Sequence, residues 1–335
     1  MKHKLRYQAV AVLLAGLMAF APVSFAQAPA AAQGVGVAEM TPAAEAAINK
    51  ALKFLQKSQQ SDGSWGSYKV ASTALTLMAY MVQGYFPDRE EYGETMNKGV
   101  DFLLRQSATR RGYMGTSMYE HGLATLALSE VWGMSNRDEL RDALKRAVDV
   151  ILRAQNPAGG WRYAPQPTDA DISVTVMQIV ALASAKEAGI FVPDATINKA
   201  ISYVLSCQEK ASGGFGYSGP SGPGFARTAA GVVSLMMCGQ RGTEAVQAGL
   251  SWLLKMPDGQ FESGEGHYFY AHYYGAQAMY QAGDKYYQQW YPRIRESLLK
   301  KQSPDGSWPD GQNIGTQMAV LVLGIPNRFL PIYQR

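Results

Sequence analysis

The sequence repeats one pattern six times: an amphipathic helix, a loop with glycine and an aromatic residue, and a second, more apolar helix. The first helices begin near Ile48, Met96, Leu144, Ile197, Ala245 and Tyr291. The loop aromatics are Trp65, Tyr113, Trp161, Phe215, Phe261 and Trp308. A unit of about 48 residues cannot bury its own apolar face, so neighbouring units must stack on one another. The repeat therefore predicts the fold, and specific chemistry is expected where the repeats differ.

The two helices of each repeat differ in charge. In the first helices, apolar residues at helical spacing alternate with charged ones, so one face is exposed to water. The second helices, such as those in segments 71–81 and 174–185, carry almost no charge, which is typical of helices buried on both sides. We therefore predict an all-α fold for residues 41–335. It is a single (α/α)6 toroid of six helical hairpins, with inner and outer rings of six helices.

The N-termini of the inner helices are expected to meet at one mouth of a central cavity. Six helices packed roughly 8–10 Å apart enclose a ring roughly 20 Å across, so Asp171, His121, Arg227 and Tyr270 should lie together there. The other first-turn residues of this group are Ser72, Tyr119, Glu120, Asp169, Tyr268, Phe269, His272, Gln312 and Asn313. This group differs in every repeat, so function is predicted to lie in it.

The first 26 residues have the three parts of a secretory signal peptide. Three basic residues precede an apolar run over residues 9–21, and Ser24-Phe25-Ala26 has the small-x-small pattern of a cleavage site. The apolar run is shorter than the roughly 20 residues that a membrane-spanning helix needs. We therefore expect export to the periplasm or the extracellular space, with no stable membrane span. An Ala/Pro/Gln/Gly tether over residues 27–40 follows.

Charge and cysteine content exclude further classes of protein. The formal net charge of +4 includes Lys2, Lys4 and Arg6 of the signal peptide, and no basic block occurs elsewhere. A nucleic-acid partner is therefore not expected. Cys207 and Cys238 end the two antiparallel helices of repeat four at opposite ends, roughly 18 Å apart. A disulfide spans at most about 7 Å between Cα atoms, so we predict two free, buried thiols.

Three loops share the spacing Gln-x3-Gly-x-Trp. The pairs are Gln59 and Trp65, Gln155 and Trp161, and Gln302 and Trp308. Glycine supplies a positive-φ turn after the first helix, the Gln amide is suited to the free carbonyl groups at that helix end, and Trp covers them. We predict a structural motif. The alternative is that the Trp rings are exposed and stack on a carbohydrate.

This spacing resembles the prenyltransferase and squalene oxidase repeat of squalene-hopene and other triterpene cyclases and of protein prenyltransferase β subunits. The resemblance extends from Ile48 to Ile325 and implies an α/α toroid. It also implies a terpenoid cyclase-like protein that binds or converts an isoprenoid or other lipid. Triterpene cyclases normally contain two such domains, and this sequence contains one.

The segment Asp169-Ala170-Asp171-Ile172 resembles the cyclase motif Asp-x-Asp-Asp, in which the middle aspartate protonates an alkene. The resemblance implies Asp171 as the acid and Asp169 as its partner, with Ile172 in place of the third aspartate. Two close carboxylates raise one pKa and retain a proton. The alternative is an N-cap, in which backbone N–H groups stabilise the Asp171 carboxylate. His121 is a candidate base or a hydrogen-bonded core histidine.

Repeat five contains the densest aromatic cluster, whose π faces are suited to a cation in the cavity. The candidate substrate-binding residues are Tyr119, Arg227, Tyr268, Tyr270, His272 and Tyr274. Tyrosines that fill the centre of the toroid are the alternative. The segment around Asp171 is also similar to the prenyltransferase zinc motif Asp-x-Cys, but Ser173 replaces the cysteine. We therefore expect neither a metal ion nor a cofactor.

Three functions remain open from the sequence. The first is binding or conversion of an isoprenoid or other apolar small molecule. The second is a polysaccharide-active enzyme, since exported α/α toroids include lyases, with Arg162, Arg227 and His121 as its main residues. The third is a non-catalytic envelope scaffold that presents loops to a protein partner. An apolar, tyrosine-lined cavity favours the first, a cationic groove the second, and a filled centre the third.

Overall fold

A computed structural model describes residues 39–89, 91–135, 137–310 and 314–334. The predicted signal peptide and most of the tether lie outside the described residues, as do Gln312 and Asn313. None of the helices in the described ranges is long and apolar enough to cross a membrane.

Thirteen α-helices form in the described part of the chain. They are α1 Pro42–Lys57, α2 Lys69–Met81, α3 Gly93–Thr109, α4 Met118–Trp132, α5 Asp138–Ala154, α6 Ile172–Glu187, α7 Asp194–Ser206, α8 Phe225–Met237, α9 Glu244–Leu254, α10 Asp258–Ser263, α11 Tyr268–Ala282, α12 Asp284–Lys301 and α13 Gly315–Gly324. The short α10 lies between two paired helices and was not predicted from the repeat.

The other twelve helices form two concentric rings. The inner ring consists of α2, α4, α6, α8, α11 and α13, and each packs against the next. Helix α13 also packs against α2, so the inner ring is closed. The outer helices α1, α3, α5, α7, α9 and α12 each pack against their inner partners. The predicted all-α toroid is therefore confirmed.

Polarity decides which ring a helix joins. In outer helix α5, Leu144 and Ile151 are fully buried, whereas Lys145 and Asp149 are exposed. In inner helices α4 and α6, nearly every residue is buried. Gly122 lies where these two helices approach each other closely, because a Cβ there would lie 2.8 Å from Gln178 Nε2 and 3.1 Å from Met177 Cβ. Each large apolar side chain buried in this way contributes about 1.5–3 kcal/mol.

The Gln side chains of the repeated loops join neighbouring repeats. Gln59 Nε2 donates to the carbonyl oxygen of Thr95 at 2.9 Å, in the first turn of the next outer helix. Gln155 Nε2 donates to the carbonyl oxygen of Thr196 at 2.9 Å in the same way. Both amides also donate to the glycine oxygen of their own loop. The Gln amides were predicted to bond carbonyl groups at the end of the preceding helix. They bond the next outer helix instead, because the loop turns each amide towards the following repeat.

The Trp side chains, rather than the Gln side chains, bond the end of the preceding helix. Trp65 Nε1 donates to the carbonyl oxygen of Leu55 at 2.6 Å, and Trp161 Nε1 donates to that of Ile151 at 2.8 Å. In four repeats the backbone N–H of the loop aromatic also donates to a threonine Oγ1 of the inner helix. The Trp rings are completely buried, which excludes carbohydrate stacking on them.

The C-terminal segment, residues 325–334, crosses the end of the ring at which the inner helices end. Asn327 Nδ2 donates to Gln83 Oε1 at 2.7 Å, just after α2. Gln281 Nε2, in the last turn of α11, donates to the carbonyl oxygen of Ile332 at 3.2 Å. The segment therefore covers this end of the ring.

The last repeat closes the outer layer on the first. Gln302 Nε2 donates to the carbonyl oxygen of Ala47 at 2.8 Å and to that of Gly306 at 3.0 Å. The first of these bonds joins residues 255 positions apart in sequence. Because a closed ring leaves no open end, this bond stabilises the whole molecule rather than one repeat.

We expect Gln302→Ala to lower the free energy of unfolding by about 1–3 kcal/mol, because two part-buried hydrogen bonds are lost at about 0.5–1.5 kcal/mol each. Urea unfolding measures this change. The matched control is Gln289→Ala, since Gln289 is exposed and bonds only its own helix. It should change the free energy by less than about 0.5 kcal/mol. Equal effects of the two substitutions would contradict a role of Gln302 in ring closure.

Candidate functional site in the central cavity

A cavity of about 880 Å³ lies between the N-terminal ends of the inner helices. All six inner helices contribute to its wall, which is largely aromatic and aliphatic. Representative lining residues are Tyr119, Leu123, Met177, Arg227, Tyr270 and Met318. The predicted binding residues Tyr119, Arg227 and Tyr270 therefore lie at one cavity, although they come from three different repeats.

Tyrosines form the rim and upper wall of this cavity. The ring of Tyr119 lies 5.8 Å from that of Tyr163 and 6.4 Å from that of Tyr270, measured between centroids. The hydroxyl groups of Tyr163 and Tyr217 share a hydrogen bond of 2.6 Å. Sequence analysis missed Tyr163 and Tyr217. Their position in the sequence could have identified them, because each follows the buried loop aromatic of its repeat by two residues.

The floor of the cavity is formed by contacts between α11 and α6, which are not neighbours in the ring. Tyr270 OH donates to the carbonyl oxygen of Ser173 at 3.3 Å. Tyr274 OH donates to Met177 Sδ at 3.0 Å, and the Tyr274 ring is 1% exposed. Tyr274 therefore fills the centre of the toroid below the cavity. The two predicted roles for these tyrosines, wall and filling, are divided between Tyr270 and Tyr274.

Asp171 is the N-cap of α6. Its Oδ1 accepts hydrogen bonds from the backbone N–H groups of Ser173 and Val174, both at 2.9 Å. The residue is completely buried, and its Oδ2 lies 3.3 Å from Arg162 Nη1. Burial raises the pKa of Asp171 above its usual value, and the two N–H groups and the Arg162 charge only partly offset this. The direction is thus opposite to that expected for an exposed cap.

Asp169 does not form the proton-sharing pair that the resemblance implied. Its side chain is 66% exposed, and its Oδ2 lies 3.5 Å from Arg162 Nε. The Arg162 guanidinium also lies 4.9 Å from the centroid of the Tyr163 ring. Arg162 therefore stands between the two carboxylates as a shared counter-ion. Sequence analysis gave Arg162 a role only in the polysaccharide hypothesis.

His121 lies behind the cavity wall. Its Nδ1 accepts a hydrogen bond from the backbone N–H of Met114 at 3.1 Å, and its Nε2 lies 3.0 Å from the carbonyl oxygen of Ala147. By accepting the Met114 N–H, His121 takes the place of the threonine that accepts a loop N–H in four other repeats. Burial lowers the pKa of His121 to about 4. With both nitrogens bonded, the neutral ring joins the loop of repeat two and α4 to α5, the outer helix of the next repeat.

Two predicted binding residues of repeat five point away from the cavity. His272 Nε2 donates to the carbonyl oxygen of Phe261 at 2.9 Å, and burial lowers the pKa of His272 to about 3. Tyr268 OH lies 2.7 Å from Ser297 Oγ in outer helix α12. Both side chains therefore join helices, because the first turn of α11 directs only one face towards the axis.

Charged groups also reach the mouth of the cavity. Arg227 Nη2 lies 4.0 Å from Glu265 Oε2, which accepts a hydrogen bond from the backbone N–H of Phe225 at 2.9 Å. Glu120 Oε2 accepts one from the backbone N–H of Thr116 at 2.6 Å. Glu265 therefore neutralises the N-terminus of α8, whereas Glu120, in the first turn of α4, binds the loop that precedes this helix. Glu265 follows α10, the insertion that the repeat pattern did not reveal.

The described residues contain no cluster of three or more His, Cys, Asp or Glu side chains suited to a metal ion. The thiols of Cys207 and Cys238 are free; Cys207 is buried and Cys238 is partly exposed. Ser173, the residue in the place of the zinc cysteine, lines the cavity. The chemistry available at the cavity is therefore apolar contact, tyrosine π faces and a few hydrogen-bonding groups.

Residues 47–266 match the family described as the prenyltransferase alpha-alpha toroid domain. The chain belongs to this family. Lanosterol synthase ERG7 from Saccharomyces cerevisiae is 26% identical over 128 residues, which are 35% of this chain and 17% of the synthase. Lanosterol synthase from Candida albicans is 25% identical over 130 residues, 35% of this chain and 18% of that protein. The chain thus matches less than a fifth of the length of either relative.

Two kinds of solved structure share the fold. The type II terpene cyclase MstE from Scytonema has a TM-score of 0.63 at 16% identity, over 86% of this chain and 99% of that one. The GH76A α-1,6-mannanase from Salegentibacter sp. HEL1_6 has a TM-score of 0.62 at 9% identity, over 86% and 98%. At these identities the likeness establishes the toroid alone.

The burial of Asp171 predicts a pH-dependent stability. Its folded-state pKa is raised, so its stabilising contribution is complete below the unfolded value of 3.8 and is lost as pH rises through the folded value. Asp171→Asn keeps the Oδ1 cap and removes this charge. We expect wild type to lose stability relative to Asp171→Asn as pH rises above about 3.8, because the unfolded chain releases the Asp171 proton before the folded one does; thermal unfolding across this pH range measures the loss.

Asp171→Ala is the matched control, because it removes both the charge and the cap. It should be less stable than Asp171→Asn by about 1 kcal/mol. A wild-type protein that gains stability over Asp171→Asn as pH rises would show that Asp171 acts as an ordinary, charge-stabilised cap.

Proposed function

We propose that the protein is an exported binding protein for an isoprenoid or similar apolar lipid, which it holds in the central cavity. The observation that supports this most directly is the cavity itself, with its aromatic and aliphatic wall. Its volume of about 880 Å³ lies within the roughly 300–1,000 Å³ of pockets that bind small molecules. The signal-peptide pattern of residues 1–26 supports export.

Binding is better supported than alkene protonation by Asp171. The Asp171 carboxyl is completely buried, and it is Ser173 that lines the cavity. Oδ1 accepts two backbone N–H bonds, Oδ2 lies 3.3 Å from Arg162 Nη1, and Asp171 is not one of the residues that line the cavity. An acid must reach the atom that it protonates. Asp171 is therefore assigned to the stability of α6 in this proposal.

Relatives of the same fold support an isoprenoid as the ligand class. MstE has been solved with geranylgeranyl dihydroxybenzoate as its substrate and with merosterolic acid A as its product. The two lanosterol synthases share sequence with this chain over a limited stretch. These ligands are those of the relatives. They support an isoprenoid for this protein because its toroid also contains an apolar cavity.

The other two hypotheses receive less support. A lyase-like enzyme needs a base and a cationic groove, but both nitrogens of His121 are engaged and Arg227 is accompanied by Glu265 and Glu120. A pure scaffold needs no internal space, whereas Tyr274 leaves the upper part of the centre open. A protein partner at the loops remains compatible with lipid binding.

Filling the cavity should abolish lipid binding without unfolding the protein. Ala226 is a small residue of the wall, so Ala226→Trp places an indole in the space that the ligand needs. We expect wild type to bind geranylgeraniol and the variant to bind it at least about tenfold more weakly, by co-elution in gel filtration. Lipid extraction and mass spectrometry of the protein from its native envelope should identify the natural ligand.

The control is Ala46→Trp, which adds the same side chain to the exposed face of α1. It should bind as wild type does. Asp171→Asn should also keep binding. If neither geranylgeraniol nor an extracted lipid associates with wild type, or if Ala226→Trp binds as well as Ala46→Trp, the central cavity is not a lipid site.

A further inference from the structure

The end of the ring opposite the cavity mouth is covered by the last residues of the chain. Residues 330–334 are named here the plug. Within the plug, Tyr333 is 1% exposed and Ile332 is 8% exposed, so both side chains pack against the ring.

A buried carboxyl group forms one of these contacts. Glu130, near the end of α4, is 2% exposed. Its Oε1 accepts a hydrogen bond from Ser184 Oγ of α6 at 2.7 Å, and its Oε2 accepts one from the backbone N–H of Ile332 at 3.4 Å. Glu130 thus joins two inner helices to the plug.

The surroundings of Glu130 contain no compensating positive charge. Among the described residues it forms no ion pair, and the titratable groups that face it are the phenols of Tyr273 from α11 and Tyr333 from the plug. Burial raises the pKa of Glu130 to about 7, and the bonds from Ser184 and Ile332 only partly offset this. The closed arrangement therefore favours the neutral carboxyl.

The plug also supports the cavity floor. The phenol of Tyr333 lies beside that of Tyr273, whose ring is 5.0 Å from the ring of Tyr274. Tyr274 in turn bonds Met177 below the cavity. A continuous column of tyrosines thus runs from the plug to the floor, so removal of the plug removes the packing beneath Tyr274.

We propose that the plug is a pH-dependent closure of the far end of the ring, held by neutral Glu130 and released when that carboxyl ionises. Release exposes Glu130 to water, which solvates its charge. The closed state is therefore more stable relative to the open state in mildly acidic surroundings than at neutral pH. That the opened end is a second entrance to the cavity rests on the proposed lipid function.

The sign follows from proton linkage. In the open state Glu130 has the ordinary pKa of 4.5, and in the closed state a raised one, so the closed state binds more protons. The equilibrium constant for opening must therefore rise from about pH 4.5 to about pH 7 and then level off. A plug held by apolar packing alone would show no such dependence.

Hydrogen–deuterium exchange of the peptide over residues 326–334 tests the proposal. We expect its protection in wild type to fall at least about tenfold between about pH 5 and about pH 7.5, relative to Glu130→Gln at each pH. The comparison at equal pH cancels the intrinsic pH dependence of exchange. Glu130→Gln can still bond Ser184 and Ile332 but cannot ionise. Parallel wild-type and Glu130→Gln profiles would overturn the proposal.

Ser184→Ala supplies a second test that keeps Glu130. It removes a bond that lowers the Glu130 pKa, so the upper end of the opening transition should move to higher pH. An unchanged transition in Ser184→Ala would also overturn the proposal. This test does not depend on Glu130→Gln, so it still decides the question if that variant does not fold.

The rate of geranylgeraniol uptake tests the entrance separately. It should be faster at about pH 7.5 than at about pH 5 in wild type and equal at both in Glu130→Gln. If geranylgeraniol does not bind at all, the proposed lipid function fails, while the exchange experiment still decides whether the plug opens. Uptake without pH dependence would show that the plug is not an entrance.

Discussion

The inner helices are apolar around most of their circumference, and this constraint governs the rest of the structure. Such a helix must be covered on every side. Two neighbours in the inner ring, an outer helix and the tyrosines near the axis provide that cover. Because every inner helix has the same requirement, a row of six hairpins would leave two uncovered ends. Closing the row into a ring covers both, and the bond from Gln302 to Ala47 lies at this junction.

Closing the ring also leaves space along its axis, and the two ends of the ring differ in how this space is occupied. At the C-terminal ends of the inner helices, Tyr274, Tyr273 and the plug fill the space. At the N-terminal ends, a cavity of about 880 Å³ remains. Free N–H groups gather there, and Asp171, Glu265 and Glu120 accept hydrogen bonds from them or from the preceding loop. These carboxylates are therefore engaged in hydrogen bonds that stabilise the helices and loops, which leaves them less free to act on a ligand.

A structural role also accounts for His121 and for the segment that resembles the cyclase motif. His121 takes the place of a repeated threonine and likewise accepts a backbone N–H of the loop, here from Met114, the residue after the loop aromatic Tyr113. Asp171 resembles the cyclase acid in its sequence motif, but its oxygens face N–H groups and Arg162. A family motif can therefore be retained for the stability of a helix. The proposed lipid function rests on the apolar, tyrosine-lined wall instead.

The sequence by itself determined the ring, because a repeat of helical hairpins with uncharged second helices has few other ways to bury its surface. It also predicted which end of the ring holds a cavity, since residues that differ between repeats lie in the first turns and several of them line it. It gave the N-cap of Asp171 as one of two alternatives, but it did not determine the partners of Asp169, Tyr268 and His272, because a first turn carries residues directed both towards and away from the axis. Nor did it reveal Glu265, Tyr163 or the contact of Glu130 with Ile332. These depend on loops and a chain end that meet only after the ring has closed.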